Sequence, residues 1–484
     1  MEPVPASGPA PFETAHRPAH EGGRSRVIGL LVAIAGSALI LLLPEPAGLR
    51  PEGQRMAAIF FLALVVWATE SLPIAISALA VVILQPVLGV TEIKAAFTSF
   101  ASPVFFFVFA MFCIAQAFAS SGVDRRFALW LLSRAGTDSR RVVLAFMIGT
   151  AALSTIMSDV PVTAIFMSLG LSLIERLKLQ RRQSNLARAL MVGIPIAALI
   201  GGVGTPAGSS VNVLGIYFIE KYGHVRVSFL QWTAIGIPMV VALVPIAWFV
   251  LIRFLPPEVS HLPDLAKLKE EGARGGPLRR SEWKVLGLMS AMISLWILGT
   301  WYEQLDVVLI GAGGALAVFL PGMNLVTWKQ VERGTGWDSL MMIGGVTSIG
   351  AGAVDTGLAK WLVDSTLSGL QGWPAGWIVA AVSAFTVLIH FVVPIGPVVN
   401  AVMIPPITLL AVSMGMNPVL FALPVAFTAS CAFLLPLDAV SLITYSKGYY
   451  SMTDMLKPGS VISLFWVVWM TVLMIVLGPL LGFF

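Results

Sequence analysis

The chain has 484 residues, 57% of them apolar and 11% charged, and a mean hydropathy of +0.89. Soluble domains carry about 25% charged residues, so this composition excludes a water-soluble fold and makes lipid the main solvent. The net charge of +5 does not mark a nucleic-acid surface either. If the N-terminus is cytoplasmic, alternating the loops puts 24 of the 30 Lys and Arg inside and 6 outside, the asymmetry that topology imposes on basic residues.

Residues 1–26 are rich in Pro, Gly, His and charge and read as a cytoplasmic polar tail. No cleavage pattern precedes the first apolar block, so that block is expected to be retained as a span. Blocks long enough to cross a bilayer, roughly 17–25 residues, predict helices at about 27–43, 56–70, 73–90, 100–121, 231–254, 283–301, 304–320, 338–356 and 459–482. Four stretches do not fit a plain span. Residues 142–174 and 376–413 are apolar but have Pro-containing polar centres, the pattern of a re-entrant hairpin that turns back at mid-depth. Residues 189–219 and 418–446 read as helices broken at GGVGTPAGSS (201–210) and ASCAFLLPLDAVS (429–441). Gly and Pro there release backbone groups that lipid cannot satisfy. Residues 255–281 form the hydrophilic linker between halves.

The two halves repeat. Gly122 and Gly357 are 235 apart, Pro206 and Pro436 are 230 apart, and the hairpin centres share that offset. Because the first hairpin enters from the cytoplasm and the second from outside, the repeat is inverted. Inverted repeats with discontinuous helices meeting at mid-membrane are the architecture of secondary transporters. The fold expected is therefore an all-α polytopic membrane protein with two re-entrant hairpins and two broken helices. Its divisions are the tail 1–26; scaffold helices 27–121; first hairpin and broken helix 122–230; scaffold and linker 231–337; second hairpin and broken helix 338–458; and a scaffold helix 459–484.

From about residue 55 to 480 the chain resembles the divalent anion/sodium symporter family, the dicarboxylate, citrate and sulfate carriers. WATESLPIAISAL (67–79), GGVGTPAGSSVN (201–212), VSFLQWTAIGIP (227–238) and AFLLPLDAVSLITYSKGYYSMTDMLKPG (432–459) carry the resemblance, in the family's order. It implies an elevator, in which hairpins and broken helices slide against a homodimeric scaffold, and a Ser-Asn-Thr signature at each hairpin tip for sodium and substrate. Here the first tip is Ser158-Asp159-Val160 and the second Ile395-Gly396-Pro397. The resemblance places a cation at Ser154, Ser158 and Asp159 with the carbonyls of Gly201 and Gly202. It places substrate at Ser158, Val160, Thr205, Pro206, Asn212, Gly396, Pro397, Asn400 and Asp438. The second tip keeps none of the signature, so coupling to several sodium ions does not carry over. One cation, or a proton on Asp159 or Asp438, fits these residues better.

An intramembrane carboxylate is by default a functional residue, and Asp159 and Asp438 read so here in preference to turn formation. His390 reads first as a hydrogen-bonded core residue, and Glu70, at a helix-to-helix corner, as a capping or interhelical hydrogen-bonding residue at least as readily as one for transport. Asn400 stands open between substrate contact and packing. Cys113 and Cys431 are read as small core fillers, and the aromatic run FFFVF (105–109) as lipid-facing or interfacial surface. No HExxH, GxSxG or Walker loop occurs, which argues against an enzyme. The function expected is secondary active transport of a small anionic metabolite, dicarboxylate or sulfate-like, across the cytoplasmic membrane with sodium or protons. The alternative is an uncoupled anion exchanger or oxyanion efflux protein. Neither reading requires a cofactor or nucleic acid; both require lipid, an anionic substrate and a homodimer, the first a coupling cation as well.

Overall fold

Gly and Pro punctuate long apolar runs here, and the chain obeys them. A computed structural model describes residues 23–262, 276–370 and 372–484, all helix, turn or loop with no strand. Among them, seven helical stretches are long and apolar enough to span a membrane by length and composition. The polar tail to residue 22 and the linker's centre, 263–275, lie outside the described residues.

Both hairpins form. The first has arms Ser139–Ser154 and Asp159–Arg176, the second Ala375–Ile389 and Gly396–Ser413. Both broken helices form too. The first runs Asn185–Gly202, a 3₁₀ turn Pro206–Gly208, then Ser210–Gly223; the second runs Val419–Thr428, then Ala439–Tyr445. The packing is reciprocal between halves. Ser210–Gly223 lies on the second hairpin's outgoing arm and Val419–Thr428, while Ala439–Tyr445 lies on the first hairpin's outgoing arm and Asn185–Gly202. Each break is also backed by a glycine of the helix that follows. A Cβ on Gly236 of Phe229–Phe254 would lie 2.5 Å from the carbonyls of Val203 and Gly204. One on Gly459 of Met452–Leu477 would lie 2.0 Å from that of Phe433.

The repeat extends to the outer helices. Pro103–Ser121 packs on Val307–Ala317 as Trp337–Asp355 packs on Ile74–Val87. Gly122 and Gly357, at φ +83° and +81°, turn two of these helices into the short helices Val123–Arg134 and Leu358–Leu362. Loop contacts sort into two ends. Arg126 pairs with Glu282 at 2.8 Å, and Asn185 Nδ2 donates to the Pro256 carbonyl at 3.1 Å, at the end that holds the basic loops. Arg50 donates to the Asp355 carbonyl at 2.8 Å and Gln231 to that of Leu481 at 3.1 Å at the other.

Helices Phe229–Phe254 and Met452–Leu477, expected in the scaffold with residues 231–337 and 459–484, pack chiefly on each other and on the hairpins and broken helices. One expectation needs correction: the run 105–109, expected at the lipid or interfacial surface, is not uniformly exposed. Phe106 is exposed, but Phe107 is 1% exposed and fills the notch at Gly311. Cys113 and Cys431 are buried and unpaired, and Cys431 Sγ donates to Ser463 Oγ at 3.5 Å.

Candidate transport site

Two helices end where the first tip meets the first break. Ser139–Ser154 and Asn185–Gly202 point their C-termini at the same spot. Thr155, at the first C-cap, donates from Oγ1 to Ala151 O at 2.9 Å in its own last turn and to Gly201 O at 3.1 Å across the seam. Ser154 Oγ donates to Ala198 O at 2.7 Å, and Thr205 Oγ1 to Thr155 O at 2.6 Å.

Asp159 starts the outgoing arm and closes this seam. Its Oδ1 accepts from Val160 N at 3.0 Å and Ser158 Oγ at 3.4 Å, and its Oδ2 accepts from Ser209 Oγ at 3.1 Å. Ser209 is itself the N-cap of Ser210–Gly223. Gly202 has room beside these oxygens: a Cβ there would sit 3.5 Å from Ser154 Oγ and 3.6 Å from Asp159 Oδ2. Among the described residues Asp159, though buried, forms no ion pair. Two helix C-termini meet the N-termini of Asp159–Arg176 and Ser210–Gly223 here, their dipole charges of about half a unit each offsetting one another. The Asp159 carboxylate therefore supplies the net negative charge, and among the described residues no basic side chain pairs with it. Hard oxygen donors with that charge suit a small cation.

The second seam is built differently. Asp438 is the N-cap of Ala439–Tyr445, its Oδ1 accepting from Val440 N at 2.9 Å. It occupies the position of Ser209 in the other half, while Gly396 occupies that of Asp159. Each half therefore keeps one acid, on opposite sides of its seam, and the two carboxylates lie within electrostatic range of one another. Gly396 has no room for more, since a Cβ would lie 2.6 Å from Ala429 O.

Two asparagines are buried at these seams, Asn212 bonded within the first break and Asn400 bonded across the two halves. Asn212 Nδ2 donates to Gly202 O at 2.7 Å and Thr205 O at 2.8 Å; Asn400 Nδ2 donates to Val211 O at 2.7 Å. Both Oδ1 atoms are buried without a partner. Orphaned buried acceptors cost about 1–3 kcal/mol each, so they call for a donor or a cation. Pro206 and Pro397 open the 3₁₀ turn and the second outgoing arm. Lacking N–H, they can offer substrate only shape and carbonyl oxygen. Val160 contributes its N–H to Asp159 and a half-buried side chain.

The residues named from sequence therefore gather at two adjoining seams. Thr155 and Ser209 were missed. Nothing local distinguishes them from other hydroxyl residues; their partners lie 46 and 50 positions away. Glu70 caps Pro51–Thr69 in the left-handed conformation, φ 47°, away from the seams.

The description "Sodium:sulfate symporter transmembrane region" matches residues 24–484. The chain belongs to this symporter family. Relatives agree over nearly its whole length. A sodium-dependent dicarboxylate transporter, SdcS, of Staphylococcus aureus is 27% identical over 479 residues, covering 93% of this chain and 90% of its own. A membrane protein of Cupriavidus necator is 27% identical over 434 residues, covering 85% and 84%. Among solved structures, the YdaH transporter of Alcanivorax borkumensis superposes at a TM-score of 0.50 with 13% identity, over 94% of this chain and 98% of that one. MtrF of Neisseria gonorrhoeae gives 0.50 and 12%, over 93% and 94%. At such identities these two speak for the fold alone. This symporter-family protein is a multi-pass membrane transporter and not an enzyme.

Proposed function

We propose that the protein is a secondary active transporter that moves a small anionic metabolite, a dicarboxylate or sulfate-like anion, with at least one sodium ion or proton. The observation that carries this is the first seam. Two helix C-termini and two N-termini meet there and offset one another, which leaves the Asp159 carboxylate as a net negative charge with no basic residue beside it, so an anion binds nearby once a cation has been taken up. The sodium-dependent dicarboxylate relatives support the choice of substrate. The two hairpins, the two broken helices, Phe229–Phe254 and Met452–Leu477 form the moving body of an elevator. The remaining helices form its scaffold and the homodimer contact. The excess of basic residues at one end supports a cytoplasmic N-terminus in the cytoplasmic membrane.

Purified protein in liposomes with labelled succinate or sulfate provides the test, with a sodium gradient or a proton gradient imposed alone. Uptake driven by one of them is expected. Counterflow with no response to either gradient would assign an uncoupled exchanger. Failure to bind either anion would remove the substrate assignment.

A further inference from the structure

His390 lies in the second half where Thr155 lies in the first, since 390 − 155 = 235, the offset that separates Gly122 from Gly357. Each is the C-cap of its hairpin's incoming arm. Each reaches back to the carbonyl four residues earlier and across to a carbonyl at the end of the broken helix. For His390 these are Thr386 O, 2.8 Å from Nδ1, and Ala429 O, 3.1 Å from Nε2.

The chemistry differs in one respect. A threonine hydroxyl has a single proton and can face two carbonyls by sharing it. A neutral imidazole has one N–H and one lone pair, and a lone pair aimed at a carbonyl oxygen is repelled. Two ring nitrogens at hydrogen-bonding distance from two carbonyl oxygens require two N–H donors, which only imidazolium has. Burial opposes that charge; what offsets the burial is the position of His390 at the C-terminal ends of Ala375–Ile389 and Val419–Thr428 together, where two helix dipoles present their negative poles.

We propose that His390 is held as an imidazolium and supplies, in the second half, the positive charge that the first half must draw from a bound cation. This rests on the reading of the first seam as a coupling-cation site. It explains why the second tip can dispense with hydroxyl and amide ligands, and it makes the second seam proton-dependent.

No other charged group competes for the ring. Of the elements packed on the incoming arm, Gly396–Ser413 and Val419–Thr428 carry no titratable side chain. Met452–Leu477 carries Asp454 and Lys457, both at its first turns and away from the tip. The break itself carries Cys431, bonded to Ser463, and Asp438, which caps Val440. Among the described residues none of these forms an ion pair with His390.

The test is ¹⁵N NMR of the full-length protein labelled at histidine, in lipid nanodiscs. The chain has 5 histidines, and His390→Gln identifies the signal. Both His390 nitrogens should be protonated at neutral pH; one protonated and one bare nitrogen overturns the inference, whatever the protein transports. The second arm is succinate binding at saturating sodium between about pH 6 and 9, a range in which histidine charge can change. Wild type should weaken as pH rises. His390→Gln, whose amide keeps a donor for Ala429 O and whose folding is checked by thermal melting, should bind about tenfold more weakly, the effect of roughly 1.4 kcal/mol, with a shallower profile than wild type. A variant that matches wild type in affinity and profile overturns the inference. An imidazolium signal in a protein that binds no anion leaves the charge assignment standing and removes the transport reading instead.

Discussion

Gly202 and Gly208 face one another across the first break, and their surroundings set opposite tolerances. A Cβ on Gly208 would lie 2.4 Å from Gly202 O and 2.7 Å from Ser154 O, both backbone atoms that cannot yield. Gly208→Ala should therefore misplace the break and lower thermal stability sharply in detergent. A Cβ on Gly202 meets Ser154 Oγ and Asp159 Oδ2 at ordinary contact distance, so Gly202→Ala should fold. It fills space beside the oxygens assigned to the cation, and should raise the sodium or proton concentration needed for half-maximal uptake severalfold. Equal cation dependence in Gly202→Ala and wild type would argue that no ion lies there. Asp159 itself was legible in the sequence because a carboxylate among Leu, Ile, Met and Val is costly in a membrane even where it also forms a turn. Ser209 and Thr155 were not, because their meaning comes from chain segments some fifty positions away.

Helices add a second level of control through their caps. The chain that leaves Phe229–Phe254 straps the ends of the first hairpin and first broken helix on the side that holds the basic loops. Ser139 N donates to Ser260 O at 3.1 Å. Glu258 accepts from the Ser184 hydroxyl and, at 3.0 Å, from Leu186 N at the start of Asn185–Gly202. Burial pushes the Glu258 carboxyl up, but the hydroxyl and backbone donors outweigh it and hold it below the usual glutamate range. A carboxyl depressed in the folded state contributes stability above its unfolded value, about 4.3, and loses it as pH falls through the folded one. Glu258→Gln should melt below wild type at neutral pH and converge with it in acid. A constant difference across that range would show that the charge is not what matters. Ser184→Ala, which removes both the N-cap and a hydroxyl donor to the Glu258 carboxylate, should cost about 1 kcal/mol or more at neutral pH and less in acid. Hairpins and breaks could be read from sequence because Gly, Pro and polar residues interrupt apolar runs at mid-length. The allegiance of Phe229–Phe254 could not, since its apolar run is uniform and only the contact of Gly236 with the break reveals its neighbour. The burial of Phe107 was hidden for the same reason: lipid and protein core select the same residues.

At the scale of the whole molecule, an elevator would slide along the seam between hairpin body and outer helices. Phe218 of Ser210–Gly223 lies against Gly350 of Trp337–Asp355, 2.9 Å from a Cβ placed there. A cavity of about 380 Å³ opens along the same seam between Val213, Ile216 and Tyr217 on one side and Val104, Trp296 and Leu305 on the other. Cysteines at Phe218 and Gly350, in a background lacking Cys113 and Cys431, should allow a short bifunctional thiol reagent to stop uptake while leaving substrate binding intact. Undiminished uptake after complete cross-linking would mean that these two surfaces do not move past one another. Beneath all of this lies the claim that the Asp159 seam must be charged with a cation before an anion can bind. The most direct measurement is the affinity of purified protein for succinate, titrated against sodium at fixed pH and against pH at fixed sodium, in wild type and Asp159→Asn. Wild-type affinity should rise steeply with one of the two cations, and Asp159→Asn should fold normally but lose most of that dependence. Equal affinity with and without cation in wild type, or an unchanged dependence in Asp159→Asn, would contradict it.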